Sequence, residues 1–282
     1  MSLRINENFN NSIPFLVGYK QLKIPIVDDG GNPAWPEMFP IEKIRELENI
    51  VGPRHFSAQM MLEYVDEEKI HLEPGAVQFY DDDFDKFNCR IGEHIITGAS
   101  LYWDPSSGRA NSDGSVCALI YRDDKNRTAF VHDIKYMSVD DEDLHPLTTQ
   151  CELVLEFMKK HNVNRLGIET NGIGNALPEI IRRIANTKNI QINIIQISNH
   201  IKKETRILNV IEPLLASGRL YMHNKIKQTM LLSEMLAFTP MGSTEHDDGL
   251  DAVAGCLAMV PGPVRPVNGR NTIIRANTNF TI

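Results

Sequence analysis

Three stretches decide how this chain folds: HIITGASLYW (His94–Trp103), SVCALIYR (Ser115–Arg122) and RTAFVHDIKYM (Arg127–Met137). Each is dense in β-branched, aromatic and aliphatic residues, and each is bounded by turn-forming residues. The second and third are separated only by Asp123-Asp124-Lys125-Asn126, a turn signal that predicts an antiparallel pair. Downstream the apolar period changes from two to 3.6. Leu147, Cys151, Val154, Leu155 and Met158 share one face of a helix predicted over Pro146–His161. Strands are then predicted over Val163–Glu169 and Ile190–Ser198, with a helix over Asn175–Ala185 between them. Lys203–Ser217 reads as a helix bent at Pro213 and closed by Gly218. Ile226–Phe238 and Asp248–Met259 complete the helices.

This order is a meander followed by crossover units. It predicts an α/β fold with a mixed sheet and helices on both faces, the order of the ribonuclease H-like architecture. On either side the texture differs. Residues 1–90 are rich in Asn, Pro and acidic residues, with one clear helix from Pro40 to Asn49 that Gly52-Pro53 should end. The acidic run Asp81–Asp85 reads as an exposed connector. Residues 261–282 hold four asparagines and no acidic residue and are expected to be a flexible tail. The expected division is therefore 1–90, 91–260 and 261–282.

Apolar residues make up 42% and charged residues 23% of the 282, the balance of a globular chain rather than a disordered one. No apolar run has membrane-spanning length, so no membrane partner is expected. Four cysteines without a CxxC pair argue against structural zinc and a disulfide framework, and fit a reducing cytoplasm. The net charge of −8 hides a partition: Arg182–Lys227 holds nine Lys or Arg against two Glu, which is +7 and leaves −15 elsewhere. A basic segment in an acidic chain suits a phosphate-binding face beside an acidic metal site, although a solvated helix face reads the same way.

Three places could carry chemistry. Asp104 ends the first apolar run and opens the long loop DPSSGRANSDG (104–114), which exceeds what a hairpin needs. Asp-Pro can also simply start a turn. Glu169 ends a strand and is followed by TNGIGN (170–175), the position at which open α/β sheets place ligands. Neither GxGxxG nor GxxxxGK[ST] is present, so a nucleotide-cradling loop and ATPase activity are not expected. Asp248 and Asp251, three apart in EHDDGLDAVAG (245–255), project from one helix face, and Ala252, Ala254 and Gly255 allow close approach to a sheet. Capping explains an acid at Asp247 or Asp248 but not at Asp251. Carboxylates gathered without nearby cations repel one another unless hard divalent ions lie between them. Trp35, Trp103 and His132 read as packing residues. Lys202, Lys203 and Arg206, after a strand end, are the candidates for phosphate contacts.

The motifs LYWDPSSG (101–108), GIETNGIGN (167–175), KKETRI (202–207), LLASGRLYMH (214–223) and HDDGLDAVAG (246–255) resemble the large terminase subunit of tailed bacteriophages and prophages. AWPEMFPIEKIRELENIVGPRHFSAQMMLEY (34–64) resembles the segment joining that family's ATPase to its nuclease. The resemblance implies a ribonuclease H-like nuclease that cuts concatemeric viral DNA with two Mg2+ or Mn2+ ions. It implies catalytic, metal-binding acids at Asp104, Glu169 and Asp248, with Asp251 as a fourth and Asp113 as an accessory ligand. Read from the residues alone, His246 beside Asp247 could assist proton transfer, although capping or a solvent-exposed place fits them as well. Double-stranded DNA, a portal protein and the small terminase subunit are the implied partners, in the cytoplasm of a bacterial host. Met1-Ser2-Leu3 and the missing ATPase core make a cloned C-terminal fragment the expectation. A Holliday-junction resolvase and a non-catalytic docking module are the competing readings.

Overall fold

The computed structural model describes residues 22–65, 72–106, 114–140, 142–240 and 247–267. In chain order the elements are α1 (Ile41–His55), β1 (Gln78–Tyr80), β2 (Arg90–Ile91), β3 (His94–Ile95), β4 (Gly98–Asp104), β5 (Ser115–Asp123) and β6 (Thr128–Met137). There follow α2 (Pro146–His161), β7 (Arg165–Glu169), α3 (Leu177–Thr187), β8 (Asn193–Ile197), α4 (Lys203–Ala216), β9 (Leu220–His223), α5 (Leu231–Ala237), α6 (Asp248–Ala258) and β10 (Gly262–Pro263). Eight strands form one mixed sheet in the order β1-β9-β6-β5-β4-β7-β8, with β10 paired to β4. Strand β5 runs antiparallel to both β4 and β6, while β7 runs parallel to β4, β8 to β7 and β9 to β6. This is the ribonuclease H-like mixed sheet.

Period-two alternation sorts the central strands onto two cores. Leu101, Trp103, Cys117 and Leu119 pack with Val154, Leu155, Leu177 and Ile181 of α2 and α3. Tyr102, Val116, Ala118 and Ile120 pack with α4, α5 and α6 through Ile207, Ile211, Leu231 and Val253. Both faces are covered, so these strands read as nearly continuous apolar runs rather than polar-apolar alternation. Helix α6 lies close to the sheet because Gly255 carries no side chain: a Cβ there would overlap the Tyr102 ring.

The structure departs from the sequence expectations at several points. His94–Trp103 is not one strand: Gly92, with φ 53°, turns β2 onto β3, and β4 starts only at Gly98. Gly52-Pro53 does end the first helical run as expected, since Gly52 takes φ 81° and ψ 160°, but a second run starts directly at Pro53 and continues to His55, so α1 is two runs joined at a kink. Gly52 rests against Pro213, and Arg54 Nε donates to Glu212 Oε2 at 3.1 Å, so α1 is fastened to α4. Ile226–Phe238 is not one helix. Extended Thr229 (ψ 174°) separates a short tight helical turn, Asn224–Gln228, from α5. Strands β1 and β9 were not expected, and they extend the sheet by parallel pairing beyond β6. The stretch from Pro261 does not leave the fold at once: Gly262 and Pro263 pair with Ala99 and Gly98, while residues 268–282 lie outside the described residues. Among the described residues no helix is long and apolar enough to cross a membrane.

Candidate metal centre

Strands β4 and β7 are parallel neighbours in the register Tyr102↔Gly167 and Trp103↔Ile168. Their next residues, Asp104 and Glu169, therefore emerge side by side at the carboxyl edge of the sheet. Helix α6 packs over β4 and β5 and brings its first turn to the same edge. Asp104, Glu169 and Asp251 each offer a carboxylate oxygen, and these oxygens all lie within 4.8 Å of one another. The three acids come from three elements distant in sequence, so their meeting is a product of the fold rather than of a local run.

Asp248 is placed differently. Its Oδ2 accepts the Gly114 amide at 2.6 Å, which fastens the C-terminal end of the 104–114 loop to α6. Asp248 is buried beside the triad without belonging to it. Asp247 lies 2.6 Å from Lys203 Nζ. Asp113 and His246 fall outside the described residues.

The supposed lack of nearby cations is not what the structure holds. Lys203 and Arg206, one helical turn apart on α4, point into the acids. Lys203 Nζ lies 3.4 Å from Asp248 and 3.8 Å from Asp251. Arg206 Nε donates to Asp251 Oδ1 at 3.0 Å, its Nη2 contacts the same oxygen, and Nη2 is 3.5 Å from Glu169. Arg206 is buried, and Lys203 is partly so. Of the three basic residues singled out for DNA, Lys202 alone is exposed, just before α4.

Glu169 is held from several sides. Tyr102 Oη donates to its Oε2 at 2.7 Å, Asn199 Nδ2 to the same oxygen at 2.8 Å, and Asn171 Nδ2 to Oε1 at 2.9 Å. Sequence reasoning missed Tyr102, although strand parity puts it on the same face as Asp104 two residues later. Asn199 follows β8 in a polar stretch that carried no signal.

The electrostatics show how crowded the acids are. Burial, and then the negative charges of Asp251 and Glu169, push the Asp104 carboxyl well above the usual carboxylate range. Burial also lifts Asp251, against the pull of the Arg206 guanidinium that grips it. Burial opposes the charged Lys203 ammonium, yet Asp251, Asp247 and Asp248 hold its pKa above the ordinary lysine value. Lys203 and Arg206 thus offset part of the negative charge but leave Asp104 under strain. An oxygen-only donor set of this kind, crowded and partly desolvated, fits a hard divalent cation.

His132 and Asp133 do not join this centre. His132 is buried with its Nδ1 3.0 Å from Tyr80 Oη, and its ring packs against His161 and His223. Asp133 lies 2.8 Å from His161 Nε2 and 2.7 Å from Lys160 Nζ.

Comparison with known proteins finds similarity to one family over part of the chain. Residues 104–220 match the family described as Terminase Bacteriophage T7, Ribonuclease H-like domain. The nuclease domain of the P22 large terminase is similar at 10% identity, over 67% of this chain and 92% of its own, with a TM-score of 0.47. The human cytomegalovirus terminase nuclease domain shares 14% identity over 56% of this chain and 81% of its own, at 0.41. The yeast mitochondrial Holliday junction resolvase Ydc2 shares 11% identity over 56% and 78%, at 0.37. No curated protein sequence matches the chain. The matched span opens at Asp104 and takes in Glu169 of β7 and Arg206 of α4: over residues 104–220 this chain is similar to a terminase ribonuclease H-like domain.

Proposed function

We propose that this chain is a metal-dependent DNA endonuclease that cuts concatemeric viral DNA during genome packaging. The observation that carries this reading is the convergence of Asp104, Glu169 and Asp251, from β4, β7 and α6, within 4.8 Å. Two Mg2+ or Mn2+ ions bound among these acids, with Asp248 alongside, would supply an activated water and stabilise the leaving oxygen of a phosphodiester.

The chain's own residues do the rest. Tyr102, Asn171 and Asn199 fix the Glu169 carboxylate, so it enters the site already oriented. Arg206 holds Asp251 and Glu169 together against their repulsion. Asp248, through the Gly114 amide, ties down one end of the loop that Asp104 opens. Lys202, exposed just before α4, is placed to meet a DNA phosphate, whereas Lys203 and Arg206 serve the acids first. Cutting many sequences requires affinity drawn from phosphates rather than base edges. In this reading the substrate is double-stranded DNA, and a portal protein and a small terminase subunit are partners in a packaging motor in the bacterial host's cytoplasm.

The test is incubation of the protein with supercoiled plasmid and Mn2+, with EDTA as the control. Conversion to nicked and linear forms that EDTA stops is the expected result. An intact plasmid, with the protein folded and DNA bound, would instead make the chain a docking module. A parallel assay on linear duplex and four-way junction separates a packaging nuclease from a junction resolvase, which would cut only the latter.

A further inference from the structure

Asp248 and Asp251 reach the centre only because α6 sits at a fixed depth and pitch over the sheet. A residue outside the acid cluster grips its first turn. Glu234 of α5 is 5% exposed. Its Oε1 accepts from Tyr136 Oη at 2.9 Å, and its Oε2 accepts from the Leu250 amide at 2.9 Å. Tyr136 lies opposite Val116, and Val116 lies opposite Asp104. One carboxylate oxygen therefore holds the strand row of Asp104, and the other holds the helix of Asp251.

This arrangement replaces ordinary helix capping. Asp247, the residue preceding α6, makes no side-chain cap, and its carboxylate is engaged by Lys203. Glu234 takes up one of the free amides of the helix start from a neighbouring helix instead. Gly249 lets the turn press directly on this pair, since a Cβ there would overlap Tyr136 Oη and Glu234 Oε2. At the far end Arg122 donates to the carbonyls of Cys256 and Leu257. Burial pushes the Glu234 carboxyl up to about 7, and the acids Asp248 and Asp247 add to the rise. A buried carboxyl at that cost, engaged by a hydroxyl and a backbone amide, is a device for holding position.

We propose that Glu234 is a positioning residue of the metal centre: by gripping Tyr136 and the Leu250 amide with its two oxygens, it sets Asp248 and Asp251 against Asp104 and so sets divalent-ion affinity. The proposal rests on the metal-dependent reading above. Glu234→Gln keeps the shape but leaves a single acceptor oxygen for two donors. Calorimetric titration of Mn2+ into the full chain should show affinity weakened by about tenfold, the scale expected when an outer partner of a ligand is lost. Plasmid cleavage by this variant should fall at low Mn2+ and recover when Mn2+ is raised by roughly the same factor, whereas a merely unstable fold would stay impaired. Tyr136→Phe, which keeps the carboxylate and removes one donor, should shift affinity in the same direction by less, and serves if Glu234→Gln does not fold. Asp251→Asn is the reference. If it abolishes Mn2+ binding while both other variants bind as the parent does, Glu234 has no positioning role and the metal centre stands. If Mn2+ binding survives Asp251→Asn and Asp104→Asn as well, the metal-centre reading fails and this proposal with it.

Discussion

Arg206→Met tests the balance of charge at the sheet edge most directly. The guanidinium is buried, bonds Asp251 through two nitrogens and lies 3.5 Å from Glu169. Methionine fills much of the volume but removes the charge, leaving Asp104, Glu169 and Asp251 with Lys203 as the nearest cation to Asp251. Removing one partner of a buried ion pair costs about 3–5 kcal/mol, because the remaining charge stays desolvated and unpaired. For a chain of this size each kcal/mol moves the melting temperature by roughly 2–4 °C, so metal-free Arg206→Met should melt about 10 °C below the parent. Divalent cations supply positive charge in the same place. An ion at a hundred times its dissociation constant stabilises a folded chain by about 2.7 kcal/mol, and in the variant it also relieves the added repulsion. Thermal unfolding followed by circular dichroism, with EDTA and with saturating Mn2+, should therefore show a gap that narrows when the metal is present. Two results would refute the reasoning: equal melting temperatures in EDTA, or a gap that Mn2+ leaves unchanged.

Further outcomes follow from the same geometry. Asp104→Asn, Glu169→Gln and Asp251→Asn should each remove Mn2+-dependent plasmid cleavage, because an amide keeps the shape but withdraws a negative oxygen from a hard-cation site. Gel assay of Asp248→Asn should show a reduction of about tenfold rather than a loss, if Asp248 acts mainly by holding the Gly114 amide. His132 is buried, and that burial, with the charge of Lys225 and the neighbouring histidines, lowers its pKa from 6.5 to about 3. The unfolded chain then binds the extra proton, so this stability is present above pH 6.5 and lost as pH falls toward 3. Between pH 7 and pH 5 the loss is about 2 kcal/mol, read as a lower urea midpoint, and His132→Asn should flatten that slope. His223, also lowered by burial, acts in the same direction. Lys202→Ala should weaken DNA binding evenly across sequences and reduce the salt dependence by about one unit; an unchanged slope would place the DNA on another face.

The central strands and the acids were readable in the sequence for one reason: each carries its signal locally. Strands β4 to β6 are buried on both faces and so are apolar throughout, and Asp104 and Glu169 stand where those runs stop. Asp251 stood out as a charge among apolar neighbours one turn into a helix. What was not readable depends on partners far along the chain. Strand β9 has four residues and β1 three, too short for a pattern, and both exist through parallel pairing. The break before α5 comes from a single extended residue, Thr229. Lys203 and Arg206 were visible as basic residues sharing a helix face, but nothing local showed that this face meets carboxylates rather than solvent. No local pattern marks Glu234, and only the packing of α5 against α6 buries it.

The edge strand β1 also governs where the protein can be shortened. A sequence-guided cut near residue 90 would discard it, together with α1 and the Arg54–Glu212 pair that binds α1 to α4. The row of amides and carbonyls along Tyr221–His223, matched to Gln78–Tyr80, would then lie bare. A bare strand edge recruits other chains, so such a truncation should precipitate or form oligomers even though Asp104, Glu169 and Asp251 all remain. Versions that begin before Leu72 keep the edge covered, so a cleavage assay on them tests the proposed nuclease without aggregation as a competing cause of inactivity.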